Sequence, residues 1–346
     1  MNMDERKKKI LQAIIDDYID TAEPIGSRTI ARKHELGLSS ATIRNEMSDL
    51  EEMGYLAQPH TSAGRIPSDK GYRLYVDQLM QVYDLHQEEI EKIRLAMELH
   101  INEMSQLIRQ ASSVLSRFTK YTSMAVTQQM KTSTIKALQV VPIEVGKAMI
   151  IVVTNAGAVR NNLVKISEHV QPDTLIMVSN ALNSKMNGLT IEKVNRQLII
   201  EIEKEIGLSA EILMPILQGV ADCINQIDNT EVYVEGTTNI LNHPEFRDIL
   251  KAKEFMNMLD EKTSIGRILF DTPDVGGIVI RIGSENDLMG IQDCSLITAN
   301  YNIADSFFGT IGIIGPTRME YPKVISAMNY IRKFMSEEIK RLLGPE

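Results

Sequence analysis

The sequence predicts a mixed α+β fold in which a compact head of about 80 residues precedes a longer region of strands and helices. Three observations predict it. Apolar residues recur at helical spacing in three short segments before Gly54, a strand, turn and strand follow over 55–67, and beyond residue 120 strand patterns surround a mostly helical block. A chain of 346 residues has room for two or three domains.

The first helix is marked by Ile10, Leu11, Ile14, Ile15, Tyr18 and Ile19, spaced by threes and fours so that one apolar stripe faces inward. Glu23-Pro24-Ile25-Gly26 breaks it, because proline lacks an amide hydrogen and glycine tolerates unusual dihedrals. Ser27 is then placed to cap a second helix from Arg28 to about Glu35, ended by Gly37. Ser39 or Ser40 caps a third, with Ile43, Met47 and Leu50 on its inner face and Gly54 as its stop. Tyr55–Gln58 and Arg65–Pro67 read as the strands of a hairpin around His60-Thr61-Ser62-Ala63-Gly64, and Ser68 caps a further helix carrying Tyr72, Tyr75, Val76 and Leu79.

Two short helices across a turn, followed by a hairpin, predict a winged helix-turn-helix. The outer face of the third helix carries Ser40, Thr42, Arg44, Asn45 and Ser48, short or forked hydrogen-bonding residues suited to base edges and phosphates. The alternative is a merely solvated face. In the wing, Thr61, Ser62 and Arg65 are expected at the DNA backbone or minor groove, while His60 suits a turn position as well as a phosphate contact. Lys70 and Arg73 are open between phosphate contacts and plain exposure.

Charge bounds this reading. The chain carries a net charge of −9, which argues against nonspecific coating of nucleic acid, so DNA contact must be local. Residues 24–73 hold seven basic and six acidic side chains, a balance that identifies nothing alone. No apolar run approaches the roughly 20 residues that cross a bilayer, and Met1-Asn2-Met3-Asp4-Glu5-Arg6 begins no signal segment, so a cytoplasmic, membrane-free protein is expected. Cys223 and Cys294 lie outside any metal-ligand spacing and are expected to be buried free thiols.

Further on, a helical pattern spans Asp84 to about Phe118. Strands are expected at Thr122–Met130 and Thr134–Val141, then a hairpin of Lys147–Thr154 and Val159–Ile166 across Asn155-Ala156-Gly157. Helices follow at Pro172–Leu182, Thr190–Ile206 and Ala210–Ile227, a strand at Val232–Glu235, and a helix around Phe246–Leu259. Strands return at Gly277–Ile282, Ser295–Tyr301 and Thr310–Ile314, before an amphipathic helix over Val324–Leu343.

The string Glu23-Pro24-Ile25-Gly26-Ser27, then Leu38 to Met47, Gly54-Tyr55-Leu56, Pro59 to Pro67 and Lys70-Gly71-Tyr72-Arg73, resembles the HrcA family of heat-inducible transcription repressors. The resemblance continues in Ile282 to Asn286 and in Gly309 to Tyr321. It implies a winged helix-turn-helix over 1–80, a GAF-like domain over 84–187 and 271–346, and an inserted dimerising domain over 188–270. It also implies a homodimer on double-stranded DNA at an inverted repeat, the CIRCE operator of chaperone operons, with the GroE chaperonin sustaining repression until heat shock diverts it. A two-fold protein on two half-sites fits that expectation.

An enzyme fares poorly, because no paired Cys/His cluster, nucleophile elbow or metal spacing assigns acid, base and nucleophile roles. No cofactor is expected. Gly283-Ser284-Glu285-Asn286 and Gly312 to Arg318 lack phosphate-loop spacing and read as structural turns, with Arg318 open between capping, internal pairing and effector binding. The 19 methionines read as core filler, with chaperonin recognition as the alternative. A rival regulator reading places a small-molecule or metal effector in the C-terminal region, and ligand-induced melting shifts would separate it from control by chaperonin.

Overall fold

The computed structural model describes residues 3–59, 64–98, 104–127, 134–155, 159–190, 210–228, 232–270, 277–287, 290–303 and 306–343, with scattered positions between 191 and 209. It divides into two compact units, one of 1–100, 107–126 and 232–337, the other chiefly 127–231. The expected helix over Thr190–Ile206 lies mostly outside the described residues, as do Ala156 and Gly157 of the expected hairpin turn.

In the first unit, α1 (Glu5–Thr21) starts where the Asp4 carboxylate accepts the Lys7 N–H at 2.8 Å, and ends at Ala22 in the left-handed region, φ 56°. Its stripe Ile10, Leu11, Ile14 and Ile15 is fully buried. α2 (Ser27–Lys33) begins one residue earlier than expected: Gly26 holds the cap position without a side-chain bond, so Ser27 is the first helical residue rather than the cap. α2 also ends at Lys33, before Gly37. α3 (Ser40–Glu52) resolves the choice between serines, because the Ser39 hydroxyl accepts the Thr42 N–H at 3.1 Å.

The wing strands β1 (Leu56–Ala57) and β2 (Ile66–Pro67) pair antiparallel, and the segment before α2 joins them through reciprocal 2.9 Å backbone bonds between Ile25 and Arg65. Gly64 is required by that approach: a Cβ there would stand 2.4 Å from the Ile25 carbonyl oxygen. Ser68 caps α4 (Asp69–Leu74), accepting the Gly71 N–H at 3.1 Å, and α4 runs on into a π turn over Tyr75–Leu79.

The expected long helix after Asp84 is two helices, α5 (Gln87–Met97) and α6 (Met104–Thr119). Behind the head lies an antiparallel sheet in the order β7 (Val232–Glu235), β3 (Thr122–Thr127), β10 (Ser306–Pro316), β9 (Cys294–Ile303), β8 (Ile278–Ile282). Helices α9 (Ile249–Asp260) and α10 (Lys262–Phe270) contribute Phe255, Ile265, Ile268 and Leu269 to one core with Met124, Val126, Leu296 and Ile314. The terminal helix is α11 (Tyr321–Leu343).

The second unit has its own three-stranded antiparallel sheet, β4 (Ile135–Glu144), β5 (Lys147–Thr154) and β6 (Val159–Lys165). Helices α7 (Pro172–Met186) and α8 (Ala210–Asp228) cover one face, around Leu138, Ile150, Val152, Val178, Leu182, Leu213 and Val220. Along β5 buried and half-buried residues alternate, the pattern of a sheet covered on one side.

The two units divide the chain elsewhere than the expected insertion at 188–270. β7 pairs with β3, and α9 and α10 share the core of the five-stranded sheet, so 232–270 belongs with the first unit. Strands β4–β6 and α7, expected in the GAF-like part, instead share a core with α8.

Candidate nucleic-acid interface

α3 packs its inner face, Ile43, Met47 and Leu50, against the head core beside α1 and α2. The same helical register turns Arg44, Asn45 and Ser48 outward, where all three are exposed. None of the three has a hydrogen-bond or ion-pair partner among the described residues. Ser40 is half-buried in the first turn. Thr42 is differently placed: its hydroxyl pairs with that of Ser39 at 2.9 Å, so its first role is within the cap.

The acids of α3 explain how a nearly neutral segment presents a basic face. Lys7 Nζ reaches Glu46 at 2.7 Å and Asp49 at 3.1 Å, with Arg6 3.5 Å from Glu46, so α1 neutralises both carboxylates on the helix's back. Hydrogen bonds to Glu46, then Asp49, hold the Lys7 ammonium above its ordinary pKa. Glu51 pairs with Arg65 at 2.7 Å. Charge counted along the sequence therefore understates the field at the outer face.

Arg65 does not join Arg44 and Asn45 as a free group. Its guanidinium ties the wing's returning strand to α3 through Glu51, and it is 19% exposed. His60, Thr61 and Ser62 lie outside the described residues.

Two cations that the residue pattern does not single out stand in the open. Arg28 and Arg32 are one helical turn apart on α2, exposed, and without a partner among the described residues. Their neighbour Lys33 is instead paired with Asp17. A helix preceding a reading helix conventionally crosses the phosphate backbone, and that spacing is the signal that could have found them.

Lys70 and Arg73 are both held internally, Lys70 while it stays exposed and Arg73 half-buried. Lys70 donates to the Met53 carbonyl at 2.9 Å, closing the end of α3, and lies 4.5 Å from the Tyr55 ring centroid. Arg73 is directed away to the sheet: it forks onto Glu285, with its Nε at 2.8 Å, and donates to the Ile280 carbonyl at 2.7 Å. The expected turn at Gly283-Ser284-Glu285-Asn286 is a structural turn, riveted by Asn286, whose amide nitrogen reaches the carbonyls of Gly283, Ile291 and Cys294. Arg318 pairs internally, with Glu245.

Both cysteines are buried free thiols. Among the described residues no group of three or more His, Cys, Asp or Glu could hold a metal ion, and no helix is long and apolar enough to cross a membrane.

Residues 2–81 match the family described as winged helix-turn-helix transcription repressor, HrcA DNA-binding, and residues 105–325 match the HrcA protein C terminal domain. The chain is 58% identical to the heat-inducible transcription repressor HrcA of Acetivibrio thermocellus, across 100% of this chain and 99% of that protein. It is 59% identical to the protein of the same description from Ruminiclostridium cellulolyticum, across 99% of each. A crystal structure of a hypothetical protein shares the fold with a TM-score of 0.71 at 22% identity, covering 99% of this chain and 100% of the other.

Proposed function

The chain belongs to the HrcA family of heat-inducible transcription repressors, and from that premise we propose that it represses chaperone operons by binding a CIRCE-type inverted repeat as a homodimer. The observation that carries the proposal is the outward face of α3, where Arg44, Asn45 and Ser48 have no internal partner while every α3 acid behind them except the exposed Glu52 is ion-paired. Arg is suited to the acceptor edge of guanine and Asn to adenine in the major groove. Ser40 and Thr42 stand at the helix start nearest the phosphates, and His60, Thr61, Ser62 and Arg65 supply the wing. The protein is taken to act in the cytoplasm, without catalysis or cofactor.

The dimerising role is proposed for the second unit. The side of its sheet away from α7 and α8 carries cross-strand rows Val141, Met149, Leu163 and Ala137, Val153, Val159, with Leu163 53% and Val159 51% exposed. A second copy would cover those two apolar rows, which flank Gln139, Ile151 and Asn161, and supply the two-fold axis an inverted repeat requires. The five-stranded sheet with α9 and α10 is proposed as the GAF-like part. GroE chaperonin is proposed to sustain the active dimer.

The test is an anisotropy titration against a CIRCE-type repeat and a scrambled duplex at one stated salt concentration, with and without chaperonin. Selective binding strengthened by chaperonin is the expected result. Equal affinity for the two duplexes, from folded protein, would overturn the repressor reading, and selectivity untouched by chaperonin would overturn its control.

A further inference from the structure

The face of the head that does not read DNA is fastened to the five-stranded sheet behind it at three places. On α4, the Asp69 carboxylate accepts both the backbone N–H of Ser284, at 2.8 Å, and its hydroxyl, at 2.9 Å. Gly283 makes this fit possible: its φ is +53°, and a Cβ there would stand 2.2 Å from the Asp69 carboxylate. One turn further, Arg73 takes Glu285 and the Ile280 carbonyl. At the end of α1, Arg318 donates to the Ile19 carbonyl at 2.9 Å while Glu245 holds its other side, which satisfies a helix-terminal acceptor from the sheet domain. Between these points the Tyr72 and Tyr321 rings pack 6.0 Å apart, both buried.

Covalently, the head is joined to the rest only through residues 80–86, which lead from the π turn into α5. Within them the Ser326 hydroxyl of α11 donates to the Tyr83 carbonyl, which leaves residues 80–82 as a tether of roughly 10 Å when extended. Without the fastenings, that tether would let the head turn and shift.

We infer that Asp69, Arg73, Gly283, Ser284, Glu285 and Arg318 are positioning residues that set which half-site spacing the dimer accepts. None lies on α3, so they leave the reading of one half-site alone. They fix the head on its own sheet domain, which removes one of the joints through which the two heads of a two-fold dimer could shift or turn. A duplex with wrongly spaced half-sites must then be deformed or met by breaking the latch, whereas a freed head absorbs the misfit in the tether. The inference rests on the dimeric operator reading proposed above.

The experiment compares full-length parent, Gly283→Ala and Glu285→Gln, each checked by thermal melting. Affinities are measured for a single half-site, the inverted repeat, and a repeat whose half-sites are moved apart by about five base pairs, half a helical turn. The parent should lose about tenfold or more on the displaced repeat, and the variants about threefold or less, with all three proteins equal on the single half-site. Variants that discriminate spacing as sharply as the parent would overturn the inference, as would variants whose single-half-site affinity falls in step with their spacing preference. A parent that does not prefer the inverted repeat to scrambled DNA would overturn the operator reading and the inference with it, a distinct result.

Discussion

α3 and α4 lie in one small head and both carry basic side chains, yet the two helices use them in opposite ways. On α3, Arg44 is exposed with no partner among the described residues. On α4, Lys70 closes the end of α3 and Arg73 holds Glu285 and Ile280. Residue type therefore does not separate the cations proposed to face DNA from the structural ones; partner status does. A cation already held by a carboxylate and a carbonyl must give up those bonds before it can take a phosphate, and an unpaired one need not.

The largest effect expected from breaking the comparison is on the α3 side. Arg44→Ala and Asn45→Ala should each weaken specific operator binding by about 1–3 kcal/mol, roughly five- to 150-fold, while the melting temperature stays near the parent's. Operator titrations beside thermal melts check this, and normal affinity in both variants would mean that another face reads the DNA. On the α4 side the pattern should invert. Arg73→Ala strips partners from Glu285 and the Ile280 carbonyl, and should lower stability by about 1–2 kcal/mol, since the site is partly screened by water, with single-half-site affinity kept.

Smaller effects sharpen the boundary between the two classes. Arg28→Ala and Arg32→Ala should weaken binding evenly across sequences and reduce the slope of log affinity against log salt by about one each. Lys70→Ala should leave that slope unchanged, because its ammonium is already bound to Met53. A reduced slope would return Lys70 to the phosphate-binding group.

The smallest effect is one of pH. Burial tends to raise the Glu285 carboxyl, but hydrogen bonds from Arg73 and the Ile282 N–H outweigh it and leave the group below its ordinary pKa. Its contribution to docking is therefore full above the ordinary carboxylate range and is lost only as pH falls through the lowered value. Proteolysis within residues 80–86 should stay slow at neutral pH and quicken only in acid, and Glu285→Gln should remove that dependence.

Much of the head was legible in the sequence because its signals are local. The α1 stripe, the serine before α3, Gly54 and the short hairpin are each set by neighbours within a turn or two of chain. The outward placement of Arg44, Asn45 and Ser48 follows from the same periodicity that buries Ile43, Met47 and Leu50. Partner status was not legible, because it depends on residues far along the chain: Arg73 and Glu285 are 212 positions apart, and no spacing rule joins them. The Arg65–Glu51 pair is closer in sequence but needs the wing folded back onto α3. The compact units fall elsewhere than the expected domains for a similar reason. The pairing of β7 with β3 assigns 232–270 to the first unit, and an isolated strand pattern does not name its partner.

The most direct test of the distinction is arginine modification by a dicarbonyl reagent, read residue by residue by mass spectrometry with and without operator duplex. Arg28, Arg32 and Arg44 should react in the free protein and be protected by DNA, while Arg73 and Arg318 react slowly in both states. Protection of Arg73 by DNA with Arg44 equally reactive in both states would contradict the account.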